Sequence, residues 1–265
     1  MKVGLVGLGV IGKAVCRALD EGIAGLSLVG ANALNRNPAE SFLATLRSRP
    51  PFLILEALIE RSDMIIEAAT QGALATLAPK VLEAGKDLMV LSCGALLERS
   101  DWIELARRNG CRILVPSGAI AGLDGVKGAR QGSITSVTME TRKAPRGWAG
   151  APHIEEKRID LGAITKETLL FEGAALQACK AFPANVNVVA ALSLAGIGPE
   201  KTWIKIFAVP GLPRNTHRVI VEGEFGRLDL SIENVPTENP RTGRLSYLST
   251  IAMLKELNTP FRVGT

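Results

Sequence analysis

Up to about residue 116, short apolar runs alternate with stretches in which apolar positions recur at helical spacing. The runs KVGLVG, LSLVGANAL, DMIIEAA, DLMVLS and CRILVPS show little polar alternation, so they read as strands covered on both faces. Residues 10–19, 38–46, 74–84 and 98–109 read as the helices between them. This order predicts a parallel, doubly wound α/β sheet. After Gly118 the pattern changes. Residues 133–142 alternate around Val137 and Met139, and residues 227–233 set Leu228, Leu230 and Ile232 on one face against Arg227, Asp229, Ser231 and Glu233. One-sided strands of this kind belong to an antiparallel sheet with one face on a core. Residues 217–222 and 227–233, joined through Gly223 and Gly226, predict a hairpin-like pair, and 172–181 and 184–194 predict helices. The second half is therefore α+β, with a mainly antiparallel sheet and helices on one face. A last amphipathic stretch, 245–257, is expected to pack back on the first half.

Composition narrows the classes. With 265 residues, 47% hydrophobic and 22% charged, the chain is an ordinary globular protein of one or two domains. The net charge of +5 is spread along the chain and favours anionic ligands only weakly. Scattered Lys and Arg with 4% aromatics lack the footprint of a nucleic-acid binder. Cys16, Cys93, Cys111 and Cys179 are far apart and form no metal-ligand set, which fits a reduced, cytoplasmic chain without a metal site. The start, MKVGLVGLGVIGKAV, is broken by glycine and reads as structure rather than a signal peptide. Residues 181–199 approach membrane length but contain Asn185, Asn187 and Ser193, so they read as a buried helix and its ends, with no membrane partner.

Gly7-Leu8-Gly9-Val10-Ile11-Gly12 is a complete G-x-G-x-x-G directly after a strand and opening a helix. Gly7 permits the tight turn, Gly9 lets the backbone approach a pyrophosphate, and Gly12 allows close helix packing. The helix N-terminus, from Val10 and Ile11 on, offers N–H groups to the phosphates. The competing reading is a glycine-rich turn without ligand. No acid stands where one normally accepts hydrogen bonds from the adenosine ribose; the second strand ends Ala33-Leu34-Asn35-Arg36-Asn37 instead. Arg36 suits a 2′-phosphate, so NADP(H) is expected to serve at least as well as NAD(H). Its bland alternative is a solvated surface charge.

Imidazole chemistry has two candidates, His153 and His217. His153 lies in the polar stretch APHIEEKR, expected to be a loop or edge. His217 begins a strand on the same face as Val219 and Val221, facing the interior. Position alone favours a structural histidine slightly over a catalytic one.

The segments FPANVNVVAALSLAG (182–196), RNTHRVIVEGEFG (214–226), ENPRTG (238–243) and VPSGAIAGLDG (115–125), with the N-terminal glycine motif, resemble the L-aspartate dehydrogenase family across nearly the whole chain. The resemblance implies a Rossmann domain at residues 1–117, completed by a C-terminal helix within 240–265, and a catalytic and dimerisation domain at 118–239. It implies NAD(P)-dependent interconversion of aspartate with iminoaspartate, or oxaloacetate plus ammonia, by a homodimer. His217 matches the family's catalytic histidine; Asn187 and Ala121 match positions on the nicotinamide half of the cofactor, and Ala69 joins the cofactor-contacting set. Asn185 or Asn187 serves equally well as a helix cap. A dicarboxylate substrate needs cations, for which Arg214, Arg218, Arg241 and Lys143 stand unranked. Cys93, at a strand end, reads as a small buried apolar residue. The chain carries Val209 where the family commonly has an aspartate before the proline, and Arg241 and Gly243 where Lys and Ser are common. Competing readings are an oxidoreductase acting on another amino or oxo acid or a sugar, and a regulator that binds NAD(P) without turnover.

Overall fold

The computed structural model describes residues 1–183, 187–235 and 243–265. The chain forms two compact units, Met1–Pro116 with Tyr247–Arg262, and Ser117–Ser246 with Val263–Thr265.

The first unit carries strands β1 (Lys2–Val6), β2 (Ser27–Asn32), β3 (Met64–Glu67), β4 (Asp87–Val90) and β5 (Ile113–Leu114) in the order β2-β1-β3-β4-β5. Every neighbouring pair is parallel. Helices α1 (Val10–Gly22), α2 (Arg36–Leu43), α3 (Leu55–Arg61), α4 (Gln71–Glu83) and α5 (Ser100–Arg108) make the connections. The strands are apolar on both faces because helices cover both: all of β3 is buried, and so are Leu88, Met89 and Val90 of β4. Two local details differ from expectation. Strand β2 closes at Asn32, so Arg36 opens α2 instead of trailing a strand. The other is the two-turn helix α3, which is too short for its periodicity to stand out in the sequence.

The second unit contributes α6 (Leu123–Ala129), β6 (Ile134–Lys143), α7 (Pro152–Glu156), β7 (Thr168–Ala174), α8 (Ala175–Ala181), α9 (Asn187–Ala195), β8 (Thr202–Ala208), β9 (Asn215–Gly223) and β10 (Gly226–Asn234). Its sheet runs β10-β9-β6-β8-β7; β6 and β8 are parallel and the other neighbours antiparallel. Residues 172–174, expected at the start of a helix, are strand instead. They pair with β8, and that ladder outweighs the helix preference of an alanine-rich segment until Ala175. Helices α8 and α9 pack on β8.

Alternation gives the second sheet two unlike faces. Val137, Met139, Thr141 and Lys143 of β6 are buried, as are Asn215, His217, Val219 and Val221 of β9. Ion pairs populate the opposite face: Arg142 with Glu140, Arg218 with Asp229, Lys205 with Glu172. Along the buried face the side chains pass from wholly apolar at Val137 and Val221 to polar at Lys143 and Asn215. The final helix, α10 (Leu245–Glu256), places a fully buried Leu254 among Val3, Leu5, Val15, Leu19, Met64 and Met89 of the first unit's core. Among the described residues no helix is long and apolar enough to cross a membrane.

Candidate active site

The three glycines after β1 do three different things. Gly7 has φ +97°, a left-handed conformation that disfavours a side chain, and its N–H donates to Asn32 O at 2.8 Å. A Cβ on Gly12 would overlap the carbonyl oxygen of Gly7, so only glycine lets α1 lie so close to the turn. A Cβ on Gly9 would meet no protein atom within 4 Å: that space is open. Gly9 is the N-cap of α1, makes no side-chain cap, and is followed by a first turn without acidic residues at Val10, Ile11 and Gly12. Uncapped N–H groups, a helix dipole and an unfilled hollow above Gly9 fit a dinucleotide pyrophosphate.

Glu67 underlies the neighbouring loops. This carboxylate, at the end of β3, is fully buried. It accepts from Ala69 N at 2.8 Å and Ser92 Oγ at 2.8 Å through one oxygen, and from Ser92 N at 2.9 Å and Leu91 N at 3.3 Å through the other. Burial pushes its pKa up from the ordinary value, while these hydrogen bonds pull it down. The network ties the loop after β3, where Ala69 is exposed, to the loop after β4, where Cys93 is buried. Nothing marked Glu67 in the sequence beyond its place as the one charge ending an apolar strand.

Arg36 lies over the ring of Phe52, 5.3 Å from its centroid, and pairs with Glu40 at 2.9 Å. Its side chain remains 66% exposed, so the guanidinium is oriented yet accessible beside the end of β2.

In the second unit the polar end of the buried sheet face gathers His217, Thr141, Lys143 and Asn215. His217 is 3% exposed and stands opposite Thr141 in the β6–β9 ladder; its Nδ1 lies 3.2 Å from Thr141 Oγ1. Burial first, and the charge of Lys143 second, lower its pKa from 6.5 to about 3, so the ring is neutral at pH 7. Lys143, two residues beyond Thr141 on the same face, lies 4.8 Å from the centroid of the Trp148 ring. Trp148 is fully buried and anchored by its Nε1 donating to Phe207 O at 3.1 Å.

A loop carrying Ala121 is held to the same end of the sheet. Asn234, opposite Asn215 in the β9–β10 ladder, donates from Nδ2 to Ala119 O at 2.8 Å. Two positions on, Ala121 is exposed, and Gly122 has φ +82° beside Leu230. Asn187 opens α9, and a Cβ on Gly118 would sit 3.6 Å from its neighbour Val188, so the loop and the helix start meet.

His153 goes elsewhere. It lies in the short helix α7, not a loop or edge, with Nε2 3.1 Å from Leu170 O and its ring packed against Phe171 and Phe182. That is a packing role. Of the cations left unranked, Arg218 makes a fork of 2.8 and 2.7 Å with Asp229 on the far face of β9, and Arg214 faces Glu233 at 3.4 Å. Arg241, most of the ENPRTG motif and Asn185 lie outside the described residues. Val209 donates its N–H to Lys143 O at 2.8 Å. Thr141 and Trp148 escaped sequence reasoning, although the alternation through Val137 and Met139 extends to Thr141 and Lys143.

A family model described as "Aspartate dehydrogenase, C-terminal" matches residues 124–257, and one described as "Homoserine dehydrogenase, NAD binding domain" matches residues 7–116. An L-aspartate dehydrogenase of Methanosarcina barkeri is 46% identical over 270 residues, covering 100% of both chains. One of Bradyrhizobium diazoefficiens is 43% identical, covering 100% of this chain and 94% of the other. The crystal structure of aspartate dehydrogenase from Thermotoga maritima shares the fold, with TM-score 0.74 at 23% identity over 100% of this chain and 99% of that one. The parallel sheet and its glycine turn are those of a Rossmann-type, NAD(P)-dependent oxidoreductase. Within that class the chain belongs to the L-aspartate dehydrogenase family.

Proposed function

We propose that this chain catalyses the NAD(P)-dependent interconversion of L-aspartate with iminoaspartate, and through it oxaloacetate plus ammonia. The observation that carries the reading is His217, a neutral imidazole bonded to Thr141 at the polar end of a buried sheet face, in a chain of this family. The nicotinamide, when bound, supplies the hydride acceptor or donor at the substrate α-carbon. Everything else falls to the protein. Gly7, Gly9, Val10, Ile11 and Gly12 receive the pyrophosphate, with Ala69 beside them; Arg36 meets the adenosine end and admits NADP(H) at least as well as NAD(H). Ala121 and Asn187 hold the nicotinamide half, the Asn187 amide being able to donate and accept at a carboxamide.

Thr141 engages Nδ1 of His217 and leaves Nε2 for the substrate. In the oxidative direction Nε2 takes a proton from the substrate amine or from attacking water; in the reductive direction it returns one. Residues 1–117 with the C-terminal helix act as the dinucleotide-binding domain, and 118–239 as the catalytic and dimerisation domain of a cytoplasmic homodimer.

The test is oxidation of NADPH and NADH with oxaloacetate and ammonia, beside a panel of other oxo acids, with His217→Ala as control. Turnover with oxaloacetate that falls about a hundredfold or more in the variant is the expected result, the scale of a general acid–base. Cofactor binding without turnover on any member supports the sensor reading instead, and a strong preference for NADH removes the assignment of Arg36.

A further inference from the structure

Among the described residues, Glu67 is the single buried carboxylate. Its ladder neighbours Val6 and Val90 are apolar, so burial alone would be served by a valine there. A desolvated carboxylate is costly unless its lone pairs are filled, and here they are filled by Ala69 N and Ser92 Oγ on one oxygen and by Ser92 N and Leu91 N on the other. All of these donors lie in the loops that leave the C-terminal ends of β3 and β4, the edge at which open parallel sheets bind their ligands.

Strand order says which half of a dinucleotide these loops meet. The order β2-β1-β3-β4 changes direction between β1 and β3, so the crevice opens there. To one side lies β2, whose end leads to Arg36 and the adenosine; to the other lie β3 and β4. The loop after β3 also abuts the glycine turn, since a Cβ on Gly7 would stand 2.5 Å from Ala68 O and 2.8 Å from Ala69 N. A dinucleotide whose pyrophosphate crosses that turn, with its adenosine toward β2, carries its nicotinamide half past Ala69 and Ser92.

We propose that Glu67 is a positioning residue for the nicotinamide half of the cofactor, fixing the two loops against which that half lies. This rests on the cofactor placement given above and not on the identity of the substrate.

The experiment compares full-length wild type, Glu67→Gln and Ser92→Ala, titrating NADPH and NADH beside 2′,5′-ADP and ADP, which carry the adenosine end alone. Glutamine keeps the shape but brings an amide NH2 group. Even turned toward Ser92 Oγ, which can accept, that group faces the Ala69 N–H, so the loop after β3 loses its tie. Ser92→Ala removes one donor with little change of volume, and serves should Glu67→Gln not fold. The expected result is a dinucleotide Kd raised about tenfold in Glu67→Gln and about threefold in Ser92→Ala, with the fragment Kd within about twofold of wild type. An unchanged dinucleotide Kd in whichever variant folds overturns the proposal. A parallel loss of fragment and dinucleotide affinity overturns it too, because that marks a general loosening of the unit. If the dinucleotides alone lose affinity while wild type shows no turnover with oxaloacetate and ammonia, the assigned reaction falls and the role of Glu67 stands.

Discussion

Holding an imidazole neutral inside a sheet has a thermodynamic signature. His217 is pushed down to about 3 in the folded chain from an ordinary value of 6.5, so between those limits the unfolded chain binds the extra proton. Stability therefore rises with pH across that window and is flat above it. From pH 7 to pH 5 this one group is expected to cost about 2 kcal/mol, at 1.36 kcal/mol per unit below the unfolded value. Denaturant unfolding at both pH values, in wild type and His217→Asn, checks it: the variant should lose that part of the slope, and identical slopes would refute it. At this scale His217 is legible from its alternation with Val219 and Val221, because period two reports which face a side chain takes. Lys143 is not. A lysine at the end of a strand ordinarily reads as a solvated charge, and only the packing of Trp148 and the β6–β9 register reveal it as interior.

The element that opens α1 separates two demands that a glycine motif merges. Gly12 is required by the protein itself, since a side chain there would strike Gly7, whereas Gly9 faces open space and is required only by what binds there. Gly12→Ala is expected to cost about 3 kcal/mol or more. Gly9→Ala should leave stability within about 1 kcal/mol, the scale of an altered N-cap, yet weaken NADPH about tenfold or more. Thermal melts with cofactor titration distinguish them; equal losses of stability would contradict the structure. The parallel sheet is legible because its strands lack polar alternation and its helices are long. Strand β7 is not, since its end merges with an alanine-rich helix and the pairing that decides it comes from β8, some thirty residues on.

For the whole molecule, the first unit's core depends on the last helix. Leu254 is fully buried against residues of β1, α1, β3 and β4, so Leu254→Ala is expected to destabilise that unit by about 2–5 kcal/mol, read from denaturant unfolding. A loss below about 1 kcal/mol would show that α10 adds little to the core.

The first unit is thus written in two pieces, with the second unit between them. A ribosome emits Met1–Pro116 long before Tyr247–Arg262, so the emerging first piece must wait with an apolar gap where Leu254 will sit. Ser117–Ser246 is finished sooner, and the interrupted unit closes only once Tyr247–Arg262 has emerged. The order of synthesis therefore sets the period of greatest exposure to aggregation, and the nucleotide turn at Gly7–Gly12 becomes fully supported only after the whole stretch from Ser117 to Ser246 has been made.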